Sequence, residues 1–438
     1  IKNSLNRRHV GPASRFVFDR TMPTELLDYL KDTFELESLD VLAEGRYHNN
    51  SEFFGFPDFG MKHLKNPPQP PLPYAPLEEA ADFWATIRER DHLLHVPYQS
   101  YESVVRFFEV AAEDPAVTHI KIVQYRVARR SRIMKALMRA VKAGKKVHVF
   151  IEVKARFDEE ANLNWGEKLE KAGVHVNYSF PGVKVHSKLA YVRRMEEGEP
   201  RIYNYLATGN FHEDTAKVYS DFGVFTADKR LTTEVAHVFN FLENVEAPAE
   251  DFAHLLVGQF NLRSGLEALI KFEIEEAKAG RKAKMTLKMN SLQDPAMINL
   301  LYKASQAGVK INLIIRGICC LVPGQKGYSE NIHGISIIDR YLEHARVFHF
   351  HHAGEEKLYL SSADFMTRNL SHRIETTFPV YDQKIKEEII ELMNIQLKDN
   401  TKSRLLSDQQ GNPYYREGKK QVRSQEATYQ WFLDRTEK

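Results

Sequence analysis

The sequence predicts an α/β protein in which two similar units follow one another, because the same order of segments occurs twice. Strand, helix and strand patterns begin at Ile120 and again at Met285. The segments AGKKVHVFIE and AGVKINLIIR superpose with Gly144 on Gly308, and the strand GVHVNY then matches GISIID. Apolar, β-branched runs joined by amphipathic helices indicate parallel strands in sheets that are covered on both faces. Ligand-binding groups of such sheets lie at the carboxyl ends of the strands.

The domain organisation follows from the position of this repeat. The chain has 438 residues, starts at Ile1 and shows no initiator Met or signal-peptide layout, so we expect a truncated N-terminus. Residues 1–73 are predicted to be the end of a preceding domain and a proline-rich linker, NPPQPPLPYAP. The first predicted α/β domain of the repeat is 74–253, and the second is 254–438.

Composition excludes several classes of protein. Hydrophobic residues make up 43% and charged residues 27%, which is typical of globular domains, and no apolar run is long enough for a membrane span. A net charge of +2 is too small to indicate nucleic acid as a partner. The two cysteines, Cys319 and Cys320, are adjacent, so a disulfide framework is not expected and a reducing cytoplasm is indicated.

An H-x-K segment, VKVHSKLAYV, is the strongest candidate for a reactive group. In an extended segment, Lys184, His186 and Lys188 project from one face. The two ammonium groups would lower the pKa of the imidazole and attract an anion to its lone pair, which suits a nucleophile for phosphate. A lone histidine on a strand is usually a surface or core residue. Here, however, HSKLAYV has a counterpart in HARVFHF, which places His344 beside Arg346.

Two acids follow these histidines at matching positions. ATGNF, with Asn210, parallels SSADF, with Asp364, and each turn is followed at the same distance by a carboxylate, Asp221 or Glu375. We expect these carboxylates to orient His186 or His344 and to fix the tautomer. A surface salt bridge or a helix-end position is the competing interpretation.

Three arginines come at or just past the ends of predicted strands, namely Arg126, Arg156 and Arg316. A single arginine there is usually a solvated surface group. Three at one edge of the sheets predict a phosphate site, because guanidinium binds phosphate in a bidentate manner.

Other motifs are weak. No G-x-x-x-x-G-K-[ST] pattern occurs, so ATP would not be held by a P-loop. Asp158 to Glu160 could hold Mg²⁺ through water, but acids at the start of a helix are expected for the helix dipole alone. HFHH, residues 349–352, has metal-ligand composition without partner acids at a set spacing, so incidental placement is favoured.

Tandem α/β units with paired histidines resemble the phospholipase D superfamily, in which each half gives one histidine to a shared phosphate site. The H-x-K-x-x-x-x-D motif of that superfamily is incomplete here, because Arg193 and His351 stand where the aspartates should be. This departure argues against an ordinary phosphodiesterase.

A closer resemblance, to bacterial polyphosphate kinase, covers nearly the whole chain. Its signature segments resemble YRVARRSRI, KARFDEEAN, GVKVHSKLA, TGNFHEDTAKVYSDF, RYLEHARVF and SSADFMTRNLSHRIE. The resemblance implies ATP and inorganic polyphosphate as substrates, Mg²⁺ as cofactor and a missing N-terminal domain that contributes to ATP binding. It further implies a homo-oligomer in the cytoplasm, with peripheral association with the inner membrane.

The resemblance also implies roles for individual residues. The positions associated with ATP are Tyr219, Arg316 and His344, and Arg373 resembles a further nucleotide-phosphate contact. Those associated with magnesium are Arg126 and Arg156. Because an arginine side chain has no lone pair for a metal, we expect these two to contact magnesium-bound phosphate through its oxygens.

The function predicted on these grounds is reversible transfer of the γ-phosphate of ATP to polyphosphate through a phosphohistidine. His186 would be the nucleophile, and His344 would act as proton donor or phosphate ligand. Lys188, Asp221 and Glu375 complete the predicted catalytic set. Two alternatives remain, a phospholipase D-like phosphodiesterase or nuclease and a non-catalytic polyanion-binding module.

Overall fold

A computed structural model of the chain describes residues 15–47, 50–153, 159–179, 182, 184–246, 248, 250–408 and 411–436. The chain divides into two compact units, 1–68 and 69–438. The sequence analysis placed this division at residue 73, and that boundary and the one at 253 remain predictions. No helix among the described residues has both the length and the apolar character that crossing a membrane requires.

The smaller unit contains a two-stranded parallel sheet beside one α-helix. In chain order its elements are β1 (Phe16–Asp19), α1 (Thr24–Thr33) and β2 (Val41–Glu44), followed by 3₁₀ turns at Asn50–Gly55 and Lys62–Leu64.

The larger unit begins with the elements that form the first half of the repeat. They are α2 (Ala75–Glu78), α3 (Phe83–Glu89), β3 (His92–Val96), α4 (Glu102–Glu113), β4 (Val117–Gln124), α5 (Arg132–Lys142), β5 (Lys146–Ile151), α6 (Glu159–Lys171), β6 (His175–Tyr178), β7 (Lys184–Val185), β8 (Leu189–Glu196), β9 (Glu199–Ala207), a 3₁₀ turn (Thr215–Lys217), β10 (Tyr219–Thr226) and α7 (Lys229–Asn244).

The second half follows in a similar order, without a counterpart of α6 between β13 and β14. Its elements are β11 (Leu256–Val257), α8 (Leu262–Lys278), β12 (Lys284–Met289), α9 (Pro295–Gln306), β13 (Lys310–Ile315), β14 (Ile332–Ile337), β15 (Leu342–Glu343), β16 (Arg346–Phe350), a 3₁₀ turn (His352–Gly354), β17 (Lys357–Ser361), α10 (Thr367–His372), β18 (Arg373–Ile374), β19 (Thr376–Pro379), α11 (Gln383–Leu397), β20 (Ser403–Leu405) and α12 (Ser424–Thr436).

The two sheets have equivalent strand orders, which confirms the predicted internal repeat. The first runs β15-β10-β9-β8-β4-β5-β6, with β3 also paired to β10 and with β15 coming from the second half. The second runs β11-β19-β17-β16-β12-β13-β14-β20. In each sheet the central pair, β4 with β5 or β12 with β13, is parallel, as the strand-helix-strand pattern predicts.

Equivalent residues begin and end the crossover helices of the two halves. The side chain of Ser131 caps α5 by accepting a hydrogen bond from the Met134 backbone N–H at 3.2 Å, and Asp294 caps α9 through the Met297 N–H at 3.1 Å. Gly144 and Gly308 follow the two helices with φ of +81° and +101°. A left-handed residue after a helix favours glycine, so the matched glycines end matched helices.

The apolar side chains form three clusters. One packs the first sheet against α4, α5 and α6, and another packs the second sheet against α8 and α9. The third lies between the two sheets and includes side chains of α7, α11 and α12. Both sheets are therefore covered on both faces, and the two halves share the central cluster as a common core.

Candidate active site

A cleft of about 340 Å³ lies where the two halves meet, with both predicted histidines in its wall. Six cationic side chains line it, and Asp364 is the one carboxylate among the described residues that do so. The lining residues are Tyr125, Arg126, Lys184, His186, Asn210, Tyr219, Asn290, Ser291, Arg316, Leu342, His344, Arg346, Asp364, Arg368, Asn369 and Arg373. This charge distribution favours an anion with several negative groups.

Two short parallel ladders join the halves and position the histidines. Strand β7, which precedes His186, pairs with β18, and the His186 backbone N–H donates to the carbonyl of Ile374 at 2.8 Å. Strand β15, which precedes His344, pairs with β10, and the His344 N–H donates to the carbonyl of Ser220 at 3.1 Å. Each histidine is therefore held against a strand of the opposite half.

The first consequence is that His186 pairs with the acid of the second half. Its Nδ1 lies 2.8 Å from Oε2 of Glu375, which is fully buried. Glu375 also accepts hydrogen bonds from Ser362 Oγ and from Asn369 Nδ2, each at 2.5 Å. These contacts orient the imidazole so that its Nε2 faces the cleft. Among the described residues, this Nε2 has no hydrogen-bond partner.

The second consequence is the mirrored pair formed by His344 and Asp221. Nδ1 of His344 lies 2.8 and 2.9 Å from the two carboxylate oxygens of Asp221. Asp221 in turn accepts a hydrogen bond from Thr208 Oγ1 at 2.6 Å, as Glu375 does from Ser362. The predicted orienting acids are thus both in contact with a histidine, and each serves the histidine of the other half.

The environment lowers the pKa of both imidazoles. Burial holds the pKa of His186 well below its usual 6.5, and the cationic Lys188 and Arg373 lower it further. Burial likewise lowers the pKa of His344, against the attraction of Asp221 and with the help of Arg346. Both rings are therefore neutral near pH 7.

The predicted common face of Lys184, His186 and Lys188 is only partly found. Strand β7 ends at Val185, so the alternation of side chains does not continue. Lys184 lines the cleft, whereas the Lys188 ammonium turns inward, donates to the carbonyl of His186 and lies 5.0 Å from the ring centroid of Tyr125. Lys188 is 1% exposed, and burial lowers its pKa well below the usual value.

The other predicted residues are mostly brought together. Arg126, Arg316 and Arg373 line the cleft, and Nε of Arg316 donates to Asn290 Oδ1 at 2.6 Å. The ring of Tyr219 lies 5.1 Å from that of His344, between centroids. Arg156 lies outside the described residues.

Sequence reasoning missed several side chains of the cleft. Arg368, on α10, joins the cationic wall, and Tyr125 packs its ring edge-on to His186 with 4.7 Å between centroids. The available signal for Arg368 was its position in SSADFMTRNLSHRIE, the segment that also contains Arg373.

The described residues contain no cluster of candidate Mg²⁺ ligands. No group of three or more His, Cys, Asp or Glu side chains there could hold a metal. The Asp364 carboxylate is paired with Arg346, and Arg126 has no lone pair to offer. Glu159 and Glu160 begin α6, whereas Asp158 lies outside the described residues. In the HFHH segment, His349 and His351 contact Glu356 at 2.5 and 2.6 Å.

Two family models match this chain. Polyphosphate kinase C-terminal domain 1 matches residues 82–248, and polyphosphate kinase C-terminal domain 2 matches residues 255–425. Together the two matches cover most of the chain. The chain belongs to the polyphosphate kinase family.

Curated members of the polyphosphate kinase family resemble almost the whole chain. A polyphosphate kinase from Vibrio parahaemolyticus is 46% identical over 98% of this chain, and one from Escherichia coli K12 is 42% identical over 98%. The chain spans 62% and 63% of the length of these two relatives.

Solved structures agree with this assignment. The polyphosphate kinase from Porphyromonas gingivalis superposes with a TM-score of 0.88 at 41% identity, over 97% of this chain and 65% of that one. A phosphatidylserine synthase from Haemophilus influenzae superposes with a TM-score of 0.51 at 11% identity, over 80% of this chain and 94% of that one, which shows a shared fold alone. The predicted fold, two tandem α/β domains related by an internal repeat, is confirmed.

Proposed function

We propose that the chain is the catalytic part of an ATP:polyphosphate phosphotransferase that works through a phosphohistidine at His186. The observation that carries this proposal is the state of the two ring nitrogens of His186. Nδ1 is 2.8 Å from Glu375, and Nε2 has no hydrogen-bond partner among the described residues in a cleft lined by cations. A neutral, oriented imidazole beside an anion site is what a nucleophile for a phosphoryl group requires.

In the proposed forward reaction, Nε2 of His186 forms a bond to the γ-phosphorus of ATP. The bond between that phosphorus and the β,γ-bridging oxygen breaks, and its electron pair leaves with ADP. Cationic side chains of the cleft, among them Arg126, Arg316 and Arg373, would stabilise the charge on the transferred group. The Nδ1 proton of His186 would be held by Glu375 as positive charge develops on the ring.

In the second step, a terminal phosphate oxygen of polyphosphate attacks the phosphohistidine. The P–N bond breaks, its electron pair returns to Nε2, and the polymer is one phosphate longer. Phosphoanhydride bonds of similar kind are broken and made over the cycle, so the reaction should run in both directions.

The nucleotide is proposed to contact the second half of the cleft. Tyr219, Arg316, Arg373 and His344 would contact ATP, with His344 lining the site beside Arg346. Arg126 and Arg156 are proposed to contact magnesium-bound phosphate through its oxygens, because arginine cannot ligate the metal. Family resemblance alone supports a homo-oligomer in the cytoplasm with peripheral contact to the inner membrane.

The decisive experiment is incubation of the full-length protein with ATP labelled at the γ-phosphate, followed by denaturation and measurement of protein-bound label. Label that disappears in His186→Ala would support the proposal. Release of product from a phosphodiester substrate without bound label from ATP would instead indicate a phosphodiesterase, and binding of polyphosphate without either activity would indicate a binding module.

A further inference from the structure

The guanidinium of Arg346 lies between Asp364 and His344 and contacts both. Its Nε and Nη2 atoms are 3.2 and 3.3 Å from the two carboxylate oxygens of Asp364. Its Nη1 is 3.2 Å from Nε2 of His344. Asp364 is fixed in turn by the backbone N–H of Asn290 at 2.8 Å, and Arg346 is 4% exposed.

This geometry determines the proton positions on His344. A guanidinium has donors and no acceptor, so Nε2 of His344 accepts the hydrogen bond and carries no proton. Nδ1 then carries the proton and donates a hydrogen bond to Asp221. Both ring nitrogens of His344 are therefore engaged, whereas Nε2 of His186 has no hydrogen-bond partner among the residues that the structure describes.

The repeat shows why the halves differ at this point. Lys188 and Asn210 occupy the positions in the first half that Arg346 and Asp364 occupy in the second. The Lys188 ammonium donates to the carbonyl of His186, so its hydrogen bond goes to the backbone and not to the imidazole. Arg346 makes the equivalent contact, from Nη1 to the carbonyl of His344 at 2.7 Å, and in addition reaches Nε2 of the His344 ring.

We propose that Arg346, anchored by Asp364, is a positioning residue that occupies Nε2 of His344 and thereby leaves His186 as the imidazole available for phosphorylation. The contact of Arg346 and Asp364 with His344 then determines which of the two repeated histidines can be phosphorylated. The proposal rests on the proposed function only in naming phosphate as the group that His186 accepts. Among the described residues, Asp221 and Arg316 are the other charged groups with the largest effect on His344.

The test uses diethyl pyrocarbonate, which carbethoxylates a proton-free imidazole nitrogen, on the resting full-length protein without substrate. Tryptic peptides 185–188 and 341–346 report the two histidines separately. Both histidines are 8% exposed, so unequal rates would not reflect unequal exposure. We expect His344 to react more slowly than His186 by at least roughly tenfold, the factor expected from one hydrogen bond with a charged donor. Equal rates in the unaltered protein would overturn the proposal.

The matched variant gives the second half the residues of the first, Arg346→Lys with Asp364→Asn. It removes the guanidinium without leaving a buried carboxylate unpaired, which keeps the cost to folding low. We expect the His344 rate to rise to within a few-fold of the His186 rate, while Arg139→Lys, an exposed change on α5, leaves it unchanged. A folded double variant with the parental His344 rate would contradict the proposal.

A parallel incubation with labelled ATP separates this proposal from the proposed function. Faster carbethoxylation of His344 in the double variant, with no phosphate on either histidine, would reject the phosphotransferase and retain the role of Arg346. Phosphate on His186 together with equal carbethoxylation rates in the parent protein would reject the role of Arg346 and retain the phosphotransferase. If both hold, the double variant should also carry phosphate on His344.

Discussion

Nδ1 of His186 lies 2.8 Å from Oε2 of Glu375, although the two residues are 189 positions apart in the chain. The pairing depends on the ladder between β7 and β18, which aligns Lys184 with Arg373 and Val185 with Ile374. Because His344 and Asp221 form the mirrored pair, neither half contains a complete histidine–acid dyad. We infer that the chemistry of this cleft requires both halves in register.

The first prediction concerns Glu375. Replacing it with Gln should lower the rate of His186 phosphorylation by about 10²–10⁴-fold, because the amide no longer fixes the tautomer of the ring or stabilises its positive charge. The measurement is the initial rate of label uptake from ATP. Glu387→Gln, an exposed change of the same kind on α11, is the control and should leave the rate unchanged. A Glu375→Gln variant with the parental rate would show that the dyad is structural.

The second prediction concerns Arg316, which contacts Asn290 at the wall of the cleft. Arg316→Lys keeps the charge and loses the planar fork, so transition-state stabilisation with ATP should fall by about 1–3 kcal/mol with little change in folding. kcat/KM for ATP and the melting temperature together test this. Arg139→Lys, an exposed change on α5, provides the matched control. An unfolded Arg316→Lys variant, or one with unchanged kcat/KM, would be incompatible with a phosphate contact.

The third prediction is a pH dependence. Burial holds the pKa of His186 well below 6.5, so the folded protein keeps this ring neutral at a pH where an ordinary histidine is protonated. Carbethoxylation of peptide 185–188 should therefore stay constant from pH 8 to below 6.5, while N-acetylhistidine in the same tube loses reactivity over that range. A parallel decline of the two rates would mean that the pKa is not lowered.

The lowered pKa of His186 also makes the stability of the folded protein depend on pH. The unfolded chain binds a proton on His186 at a higher pH than the folded chain does. The neutral histidine therefore contributes fully to the free energy of unfolding above the unfolded pKa, and that contribution is lost as pH falls below about 6.5. His186→Ala should lose less stability than the parent between pH 7 and pH 5, as measured by denaturant unfolding. A steeper loss in the variant would contradict the assigned direction of the shift.

The sequence predicted the repeat and most of the cleft, because strand ends and matched motifs are local features. Arg126, Arg316, His186 and His344 came from such features, whereas Tyr219 came from the family resemblance. The structure brings all five into one wall. The pairing of each histidine with the acid of the other half depends on two-residue ladders between distant segments, which no local pattern records.

Side-chain direction was the other limit of sequence reasoning. The alternation rule predicted that Lys188 would share a face with His186, and it failed because the strand ends at Val185. Beyond a strand end, the direction of a side chain is set by packing. Here the Lys188 side chain packs over the ring of Tyr125 instead of lining the cleft.

The last prediction is that phosphate accumulates on His186 alone, although the repeat makes His344 its counterpart. Of these two histidines, His186 alone has an Nε2 without a hydrogen-bond partner among the described residues, since Arg346 donates to Nε2 of His344. In the full-length protein, His186→Ala should abolish both the adduct and polymer synthesis. His344→Ala should slow transfer by roughly 10²–10⁴-fold and keep the attachment point.

Peptide mapping decides between the two histidines. The adduct should be acid-labile and alkali-stable, as a phosphoramidate is, and it should map to the peptide 185–188. Lys402→Ala, a change outside the cleft lining, should leave its amount and position unchanged. Phosphate found on peptide 341–346, or an adduct that survives acid, would mean that the nucleophile belongs to the other half of the repeat or to another residue type. The asymmetry between Lys188 with Asn210 and Arg346 with Asp364 would then need a different explanation.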